Sequence, residues 1–528
     1  MARNPSKAGE WKKRESFGSA LVQIAVVALV LAVGVALVYR RGVTKKELSE
    51  LMRQARAAQV KGNYTDLKDK TLPLVEQALA KDERAGDPNA FAAAVYTDLW
   101  QLHHEPGADA LARGYLDKAK AAGAQTEERF GVEAQQLLAQ GDAKGAADLV
   151  EELRKKGGSG ARLLYAQAMA FKAQGNLPLA RTGLTAAMDK AWRDGNYACA
   201  WGELILEEGV PGAVDTFTKA VSQNPELLRA RLGLALARVQ KRERLGEAEA
   251  LLNAVLAKGA ELSAPQKARA QAIGAGLALI REQPEAAVSL ADQALSLNPD
   301  DAWAAFYKAS ALAARKEPAA VQAFEAAVKK APWAPVFYFE GALKLQRAGF
   351  GEAAMQLLAQ YEAFFKHVKN ATADGQELAW LERDDRYWLA RGELLEAAGK
   401  PDEALSSYDR AIAAKGLNLT RAYYAKGALL LGRHDYDQAG LLLQDITPPD
   451  GTGLLPEAYL AMGEVLFSKK DWAPGCQNFA VGLTRLKATQ APRERLNEVL
   501  GDVEKRLLAA NQKDLAKAWL DAAKPLIQ

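Results

Sequence analysis

Two cysteines in 528 residues, Cys199 and Cys476, cannot build a disulfide framework or a four-thiolate zinc site. Histidine is nearly as scarce. His103, His104, His367 and His434 are the full set, and no two stand at i, i+4 around a glutamate, so the zinc-hydrolase arrangement is missing. Consecutive helix positions point different ways, so His103-His104 reads as a surface pair rather than a chelate. No Gly-x-x-x-x-Gly-Lys-Ser/Thr stretch cradles a phosphate. Gly157-Gly158-Ser159-Gly160-Ala161 comes nearest to a nucleophile elbow, but it follows Lys155-Lys156 with no strand before it and reads as a linker. Cys199 lies on an apolar helix face, Tyr197–Trp201, and Cys476 takes a small residue's place; both read as core fillers. No catalytic residue, cofactor or metal ligand is assigned, and enzymatic activity is not expected.

Aromatic residues make up only 7% of the chain, while alanine is abundant, hydrophobic residues reach 49% and charged residues 25%. That balance excludes a disordered or collagen-like chain and favours helix over sheet, because alanine loses no side-chain entropy in a helix. A surplus of charge is missing too, since 69 Lys+Arg stand against 65 Asp+Glu, a net +4. Residues 1–41 hold seven basic and two acidic side chains, a net +5, and the remaining chain carries −1. A neutral body lacks the basic stripe that neutralises phosphates, so nucleic acid is not an expected partner.

The basic excess brackets Phe17–Tyr39, which is 23 residues without a charge. As a helix it would reach about 34 Å, enough for a hydrocarbon core of about 30 Å. The run is too long for a secretory signal and ends in Val38-Tyr39-Arg40-Arg41 rather than a small-x-small cleavage site, so the reading is an uncleaved transmembrane helix. Residues 1–16 form a basic tail and 40–47 a juxtamembrane linker. Basic residues flank both ends about equally, so charge does not set the orientation. The short tail and the scarcity of thiols incline the reading to a body outside the cytoplasm.

From residue 48 onward, helical apolar spacing recurs in pairs. Trp388-Leu-Ala-Arg-Gly392 leads to Leu395, Gly399, Ala404, Tyr408 and Ala411; Tyr423 and Gly427 lead to Leu430, Ala439 and Leu443; Tyr459 and Gly463 lead to Leu466, Gly475 and Phe479. The anchor glycines are 35 and 36 residues apart. Backwards, the small anchor falls at Gly341, Ala309, Gly274, Gly233, Gly202, Ala168 and Ala134, at intervals of 32, 35, 41, 31, 34 and 34. Pro225, Pro299 and Pro332 mark repeat ends, since proline disfavours helix in the residue before it. Weaker units occupy Met52–Tyr64 and Phe91–Ala122.

This pattern resembles the tetratricopeptide repeat over residues 48–487, in about twelve units. The resemblance implies an all-α fold, a right-handed solenoid of helix hairpins, here with one N-terminal transmembrane helix. Each hairpin leaves an apolar face that the next one buries, giving an arc on the order of 100 Å. Residues 488–528 read as two capping helices, Arg493–Asn511 and Asp514–Ile527. Between Gly341 and Gly392 the period stretches to 51 residues, with the excess around 361–386. That insertion reads as a longer helix and loop, with a contact site as the other possibility. A smaller extension, Lys241–Gly246, reads as a solvated turn.

In such arrays the first helix of each hairpin lines the concave face. The resemblance then exposes positions six and three before the anchor and one and four after it. These include Arg386, Leu389, Glu393, Arg421, Tyr424, Leu431, Leu460, Glu464 and Phe467. Family members that clamp a carboxylate carry Asn and Lys here; Glu393, Ala428 and Glu464 replace the Asn, and Leu389 and Leu460 the Lys. A carboxylate clamp is therefore not expected. The strip suits an amphipathic helix or extended peptide. The expected role is a scaffold or adaptor for protein partners at a cell inner membrane, with a periplasmic repeat domain, as in bacterial membrane-anchored members. A chaperone-like or quality-control factor for exported or membrane-protein clients is the alternative.

Overall fold

The computed structural model describes residues 9–371, 377–489 and 491–527, side chains at 9–20, 36–41, 43, 44, 370, 371, 377 and 378 aside. Helix α1 spans Gly9–Gln59, and after a π turn at Asp66–Thr71 the helix α2 (Leu72–Lys81) folds back on it. Hairpins follow: α3 (Gly86–His103) with α4 (Ala108–Ala121), α5 (Glu127–Ala139) with α6 (Ala143–Lys155), and α7 (Ala161–Ala173) with α8 (Leu177–Lys190). Next come α9 (Gly195–Glu208) with α10 (Ala213–Gln223), α11 (Leu228–Lys241) with α12 (Leu245–Leu256), and α13 (Ala264–Ile280) with α14 (Pro284–Leu297). The middle continues with α15 (Ala302–Ala314) and α16 (Ala319–Lys330), then α17 (Pro335–Ala348) and α18 (Gly351–Phe365). A short helix α19 (Trp380–Arg383) precedes α20 (Asp385–Ala397) with α21 (Pro401–Ala414), α22 (Leu419–Gly432) with α23 (Tyr436–Gln444), and α24 (Pro456–Ser468) with α25 (Trp472–Ala488). Helices α26 (Arg493–Ala509) and α27 (Lys513–Ile527) end the array.

The fold is a tetratricopeptide-like array, and the anchors show why. A Cβ on Gly392 would stand 2.3 Å from Tyr408, one on Gly463 2.8 Å from Phe479, and one on Gly427 3.0 Å from Leu443. In each hairpin the large residue of the second helix sits where a side chain on the first would have to be. Ala134, Ala168 and Ala309 are fully buried in the same role. Helices α10, α14 and α16 stop at Gln223, Leu297 and Lys330, each two residues ahead of its proline. The 41-residue interval is taken up by a turn in which Arg242 and Arg244 adopt left-handed conformations and by a 3₁₀ turn at Gly259–Glu261. One core runs from Ala168 to Ala422, and a separate C-terminal core gathers Phe467, Phe479, Leu500 and Trp519 from α24 to α27.

One expectation falls partly outside the described residues, and two need correction. Helix α1 passes unbroken through the apolar run, and every described side chain from 21 to 35 is exposed. Yet among the described residues no helix is long and apolar enough to cross a membrane. The side chains at 17–20 and 36–39, the ends of the expected span, lie outside the described residues, and residues 21–35 alone cover about 22 Å. Second, the insertion is more than a helix and loop. After α18 the strands β1 (Lys369–Ala371) and β2 (Glu377–Ala379) pair antiparallel, Asn370 opposite Leu378; residues 372–376 lie outside the described residues. Third, His103 is not on the surface. It is 5% exposed and its Nδ1 lies 3.1 Å from Ser263 Oγ, while His104 caps α3 in the left-handed region and is exposed.

The His103–Ser263 contact belongs to a wider pattern in which the array does not remain an open arc. Asn63 Nδ2 donates to the Glu226 carbonyl at 3.0 Å, and its Oδ1 accepts from the Leu228 amide at 3.0 Å. Trp333 Nε1 donates to Glu207 at 2.9 Å, and Arg386 donates to the Glu208 carbonyl. Partners separated by 163, 160, 126 and 178 residues therefore touch. Successive turns of the array close on one another.

Candidate functional site

That closure fills the interior of the first half with polar side chains. Arg162 donates to Asp98 at 2.6 Å and to Gln135 at 2.9 Å, and Gln59 also donates to Asp98, at 3.0 Å. Arg229 grips Glu203 with two bonds of 2.9 and 2.6 Å. Arg269 reaches Asp301 at 2.9 Å, and Lys172 pairs with Glu207 at 2.6 Å. Burial would normally cost each ion several kcal/mol, and the bidentate or bridged partners offset that. Each of these cations meets a carboxylate, so the interior is cross-linked rather than poised for an anion. It encloses about 210 Å³ between His103, Glu203, Arg229, Arg269 and Asn298. Burial pushes the His103 imidazole down to about 4, and burial pushes the Asp194 carboxyl beside Arg162 up to about 6. Cys199, fully buried, is pushed up to about 12 by desolvation and cannot act as a thiolate.

The same offsets that mark the concave face near the C-terminus also find this interior. Counted from Ala134, Ala168 and Gly202, they give twelve positions, of which Gln135, Arg162, Tyr165, Asn196 and Glu203 line the axial cavities. Asp98, Arg229 and Arg269 fall off those offsets and were not legible.

The nine predicted concave residues divide into two cavities and one core position. Arg386, Leu389, Glu393 and Arg421 line about 240 Å³ between α9, α17, α20 and α22, floored by Val336, Phe339 and Leu343. Here Arg386 is held by Asp384 at 3.0 Å and by the Glu208 carbonyl, and Leu389 is 5% exposed, so both are largely spent on packing. Arg421 pairs with Glu393 at 2.9 Å. Tyr424, Leu431, Leu460 and Glu464 line a second cavity of about 330 Å³ between α22, α24 and α26. Phe467 is the exception and the expectation for it is corrected. It is 2% exposed, in T-shaped contact with Trp472 and Phe479, with the Arg506 guanidinium 5.0 Å above its ring. The capping helix α26 covers the place it would have opened onto.

The insertion brings together residues that repeat spacing could not pair. Tyr361 hydroxyl donates to Asp384 and receives the Trp380 indole N–H at 2.7 Å. Phe365 stacks on Trp380 at 5.7 Å, and both Phe364 and Phe365 press on Gly175 at the turn before α8. Gly175 has φ +77°, and a Cβ there would stand 2.9 Å from Phe364. The insertion is thus a wedge between turns of the array. Among the described residues no group of three or more His, Cys, Asp or Glu is placed to hold a metal.

No family model matches the chain, and no curated protein matches it. Solved structures similar to it include the APC/C hetero-tetramer Cut9–Hcn1, at 15% identity over 91% of this chain and 87% of that one, TM-score 0.45. A human IFIT1 dimer with m7Gppp-AAAA is 16% identical over 76% of this chain and 90% of that one, TM-score 0.43. Yeast Tom70 is 13% identical over 81% of this chain and 97% of that one, TM-score 0.42. A likeness this distant carries no function across, and the repeat assignment rests on the packing described above.

Proposed function

We propose that this chain is a helical-repeat scaffold that binds protein partners non-covalently on the C-terminal part of its concave face and is held at a membrane by residues 17–39. The observation that carries the reading is the contrast between the two halves. The first half spends its inner side chains on its own ion pairs. Around α22, α24 and α26, Tyr424, Leu431 and Leu460 instead floor a cavity of about 330 Å³ that none of the described residues fills. Half-exposed aromatic and aliphatic side chains in a concavity are what a partner helix uses as anchor pockets. Membrane attachment is supported by Leu21, Ile24, Leu29 and Val35 on α1, which are 57, 66, 65 and 69% exposed, a poor bargain in water. The placement proposed is a cell inner membrane with the repeats on its periplasmic side.

A photoreactive amino acid at Tyr424 or Leu431 in the membrane-embedded protein tests the reading. A few proteins captured in stoichiometric amounts there, and not from Leu441 on an exposed helix face, are expected of a scaffold. Capture of many proteins at low occupancy would replace it with the chaperone-like role. Capture equal at both positions would remove the groove from the account. A C-terminal reporter active only in the cytoplasm would reverse the orientation.

A further inference from the structure

The rim of the C-terminal groove is acidic. Glu457, Glu498 and Asp502 are exposed around Tyr424, Leu431 and Leu460, and Glu464 stands beside them. Two cations face them, and both are already engaged. Arg495 pairs with Glu498 at 2.7 Å, and Arg506 pairs with Glu464 at 2.6 Å and with Asp502 at 3.5 Å. Four carboxylates against two guanidiniums leave a surplus of two negative charges. Among the described residues Glu457 has no ion pair at all.

From this charge pattern we propose that the groove takes a basic amphipathic helix of a partner protein, its apolar stripe on Tyr424, Leu431 and Leu460 and its Lys or Arg side chains on Glu457, Glu498 and Asp502. The inference rests on the scaffold reading and names the chemistry of the partner. Helices α22 and α24 stand side by side, and packed helices lie about 8–10 Å apart. A partner's apolar residues at i and i+7 are about 10 Å apart, so one stripe meets a floor made by both helices. Surrounding apolar surface lowers the local dielectric, which strengthens attraction for a cation and penalises a second anion. Nucleic acid and anionic lipid surfaces are disfavoured on the same ground.

The test uses the full-length protein in lipid nanodiscs and three fluorescent peptides of roughly 18 residues sharing one leucine stripe at helical spacing. Their polar positions are all Lys, all Glu or all Gln. Fluorescence anisotropy at low salt is expected to give the Lys peptide an affinity at least about tenfold above the Glu peptide, narrowing as salt screens the rim. The exposed-site variant E457K/E498K/D502K should reverse the order while its helical circular dichroism stays that of the parent chain. Equal binding of the three peptides, preference for the Glu peptide, no binding of the Lys peptide, or an unchanged Lys-peptide affinity in the variant would overturn the proposal. The scaffold reading has its own outcome. If cross-links from Tyr424 capture a stoichiometric partner through a neutral or acidic segment, the scaffold stands and the basic-helix inference falls.

Discussion

Gly233 has no room for a side chain, because a Cβ there would stand 2.1 Å from the Phe217 ring and 2.5 Å from its next carbon. Phe217 is itself fully buried and also presses on Gly202, so it cannot retreat. Gly233→Val should therefore destabilise the chain by about 3 kcal/mol or more, read as a shift of the denaturant midpoint at constant slope. An unchanged midpoint would mean that the anchors do not set the helix spacing. His103 offers a second prediction. Its folded-state value near 4 lies below the ordinary 6.5 because burial disfavours the imidazolium, with Arg229 and His104 adding to that and Asp98 and Glu105 opposing it. The unfolded chain then binds more protons between pH 4 and 6.5, so His103 contributes stability that rises with pH across that window. Asp194 has the opposite sign, for its folded value near 6 exceeds the ordinary 3.8, and its contribution falls as pH rises between them. The two slopes oppose. His103→Gln should leave a variant whose stability, relative to the parent, is greater at pH 4.5 than at pH 7 by about 2 kcal/mol, measured by urea titration at both values. Equal differences at both pH values would show that His103 is not held neutral.

Hairpins were legible in the sequence, because their packing is local: the residues that decide it, such as Gly392 and Tyr408, lie on adjoining helices and recur with one period. The insertion was legible only as extra length. Its structure depends on Phe364 and Phe365 meeting Gly175, about 190 positions earlier, and no periodicity encodes a contact at that distance. A run of aromatic residues, Tyr361, Phe364, Phe365 and Trp380, was the available signal that the segment is packed rather than looped. Phe365 is fully buried, 4.5 Å from Tyr361 and 5.7 Å from Trp380 between ring centroids. Phe365→Ala should cost about 3–5 kcal/mol. The diagnostic readout is where protection is lost. Hydrogen exchange should quicken in α18 and also in the distant turn around Gly175, whereas Phe324→Ala should act only within its own neighbourhood. Loss confined to α18 would reduce the wedge to a local core.

At the scale of the molecule, the expected open arc and the observed closure differ in what they make of the inner face. The offsets that name concave positions are the same along the chain, but Asn196 lies against Gly62 and Arg386 bonds the Glu208 carbonyl across the closure, whereas Tyr424, Leu431 and Leu460 face a cavity. Sequence periodicity fixes which side chains point inward and says nothing about pitch, which follows from small rotations summed over many hairpins. That is why Leu460 and Glu464 could be placed on a cavity wall from spacing, while Phe467, covered by α26, could not. The closure has a seam that can be opened. Asn63, 8% exposed, satisfies both the Glu226 carbonyl and the Leu228 amide, and donates to Asp66 at 3.1 Å as well. Asn63→Leu keeps the volume, removes the bonds across the seam and strands buried backbone groups at about 1–3 kcal/mol each. If turn-to-turn contacts hold the pitch, the variant should keep its helical circular dichroism but expand, with a larger radius of gyration in small-angle scattering. Dyes placed on exposed Glu76 and Lys219, on either side of the seam, should transfer energy less well. If each hairpin instead set the pitch through its immediate neighbours, neither quantity would move, and stability would fall only by the local cost of the lost hydrogen bonds.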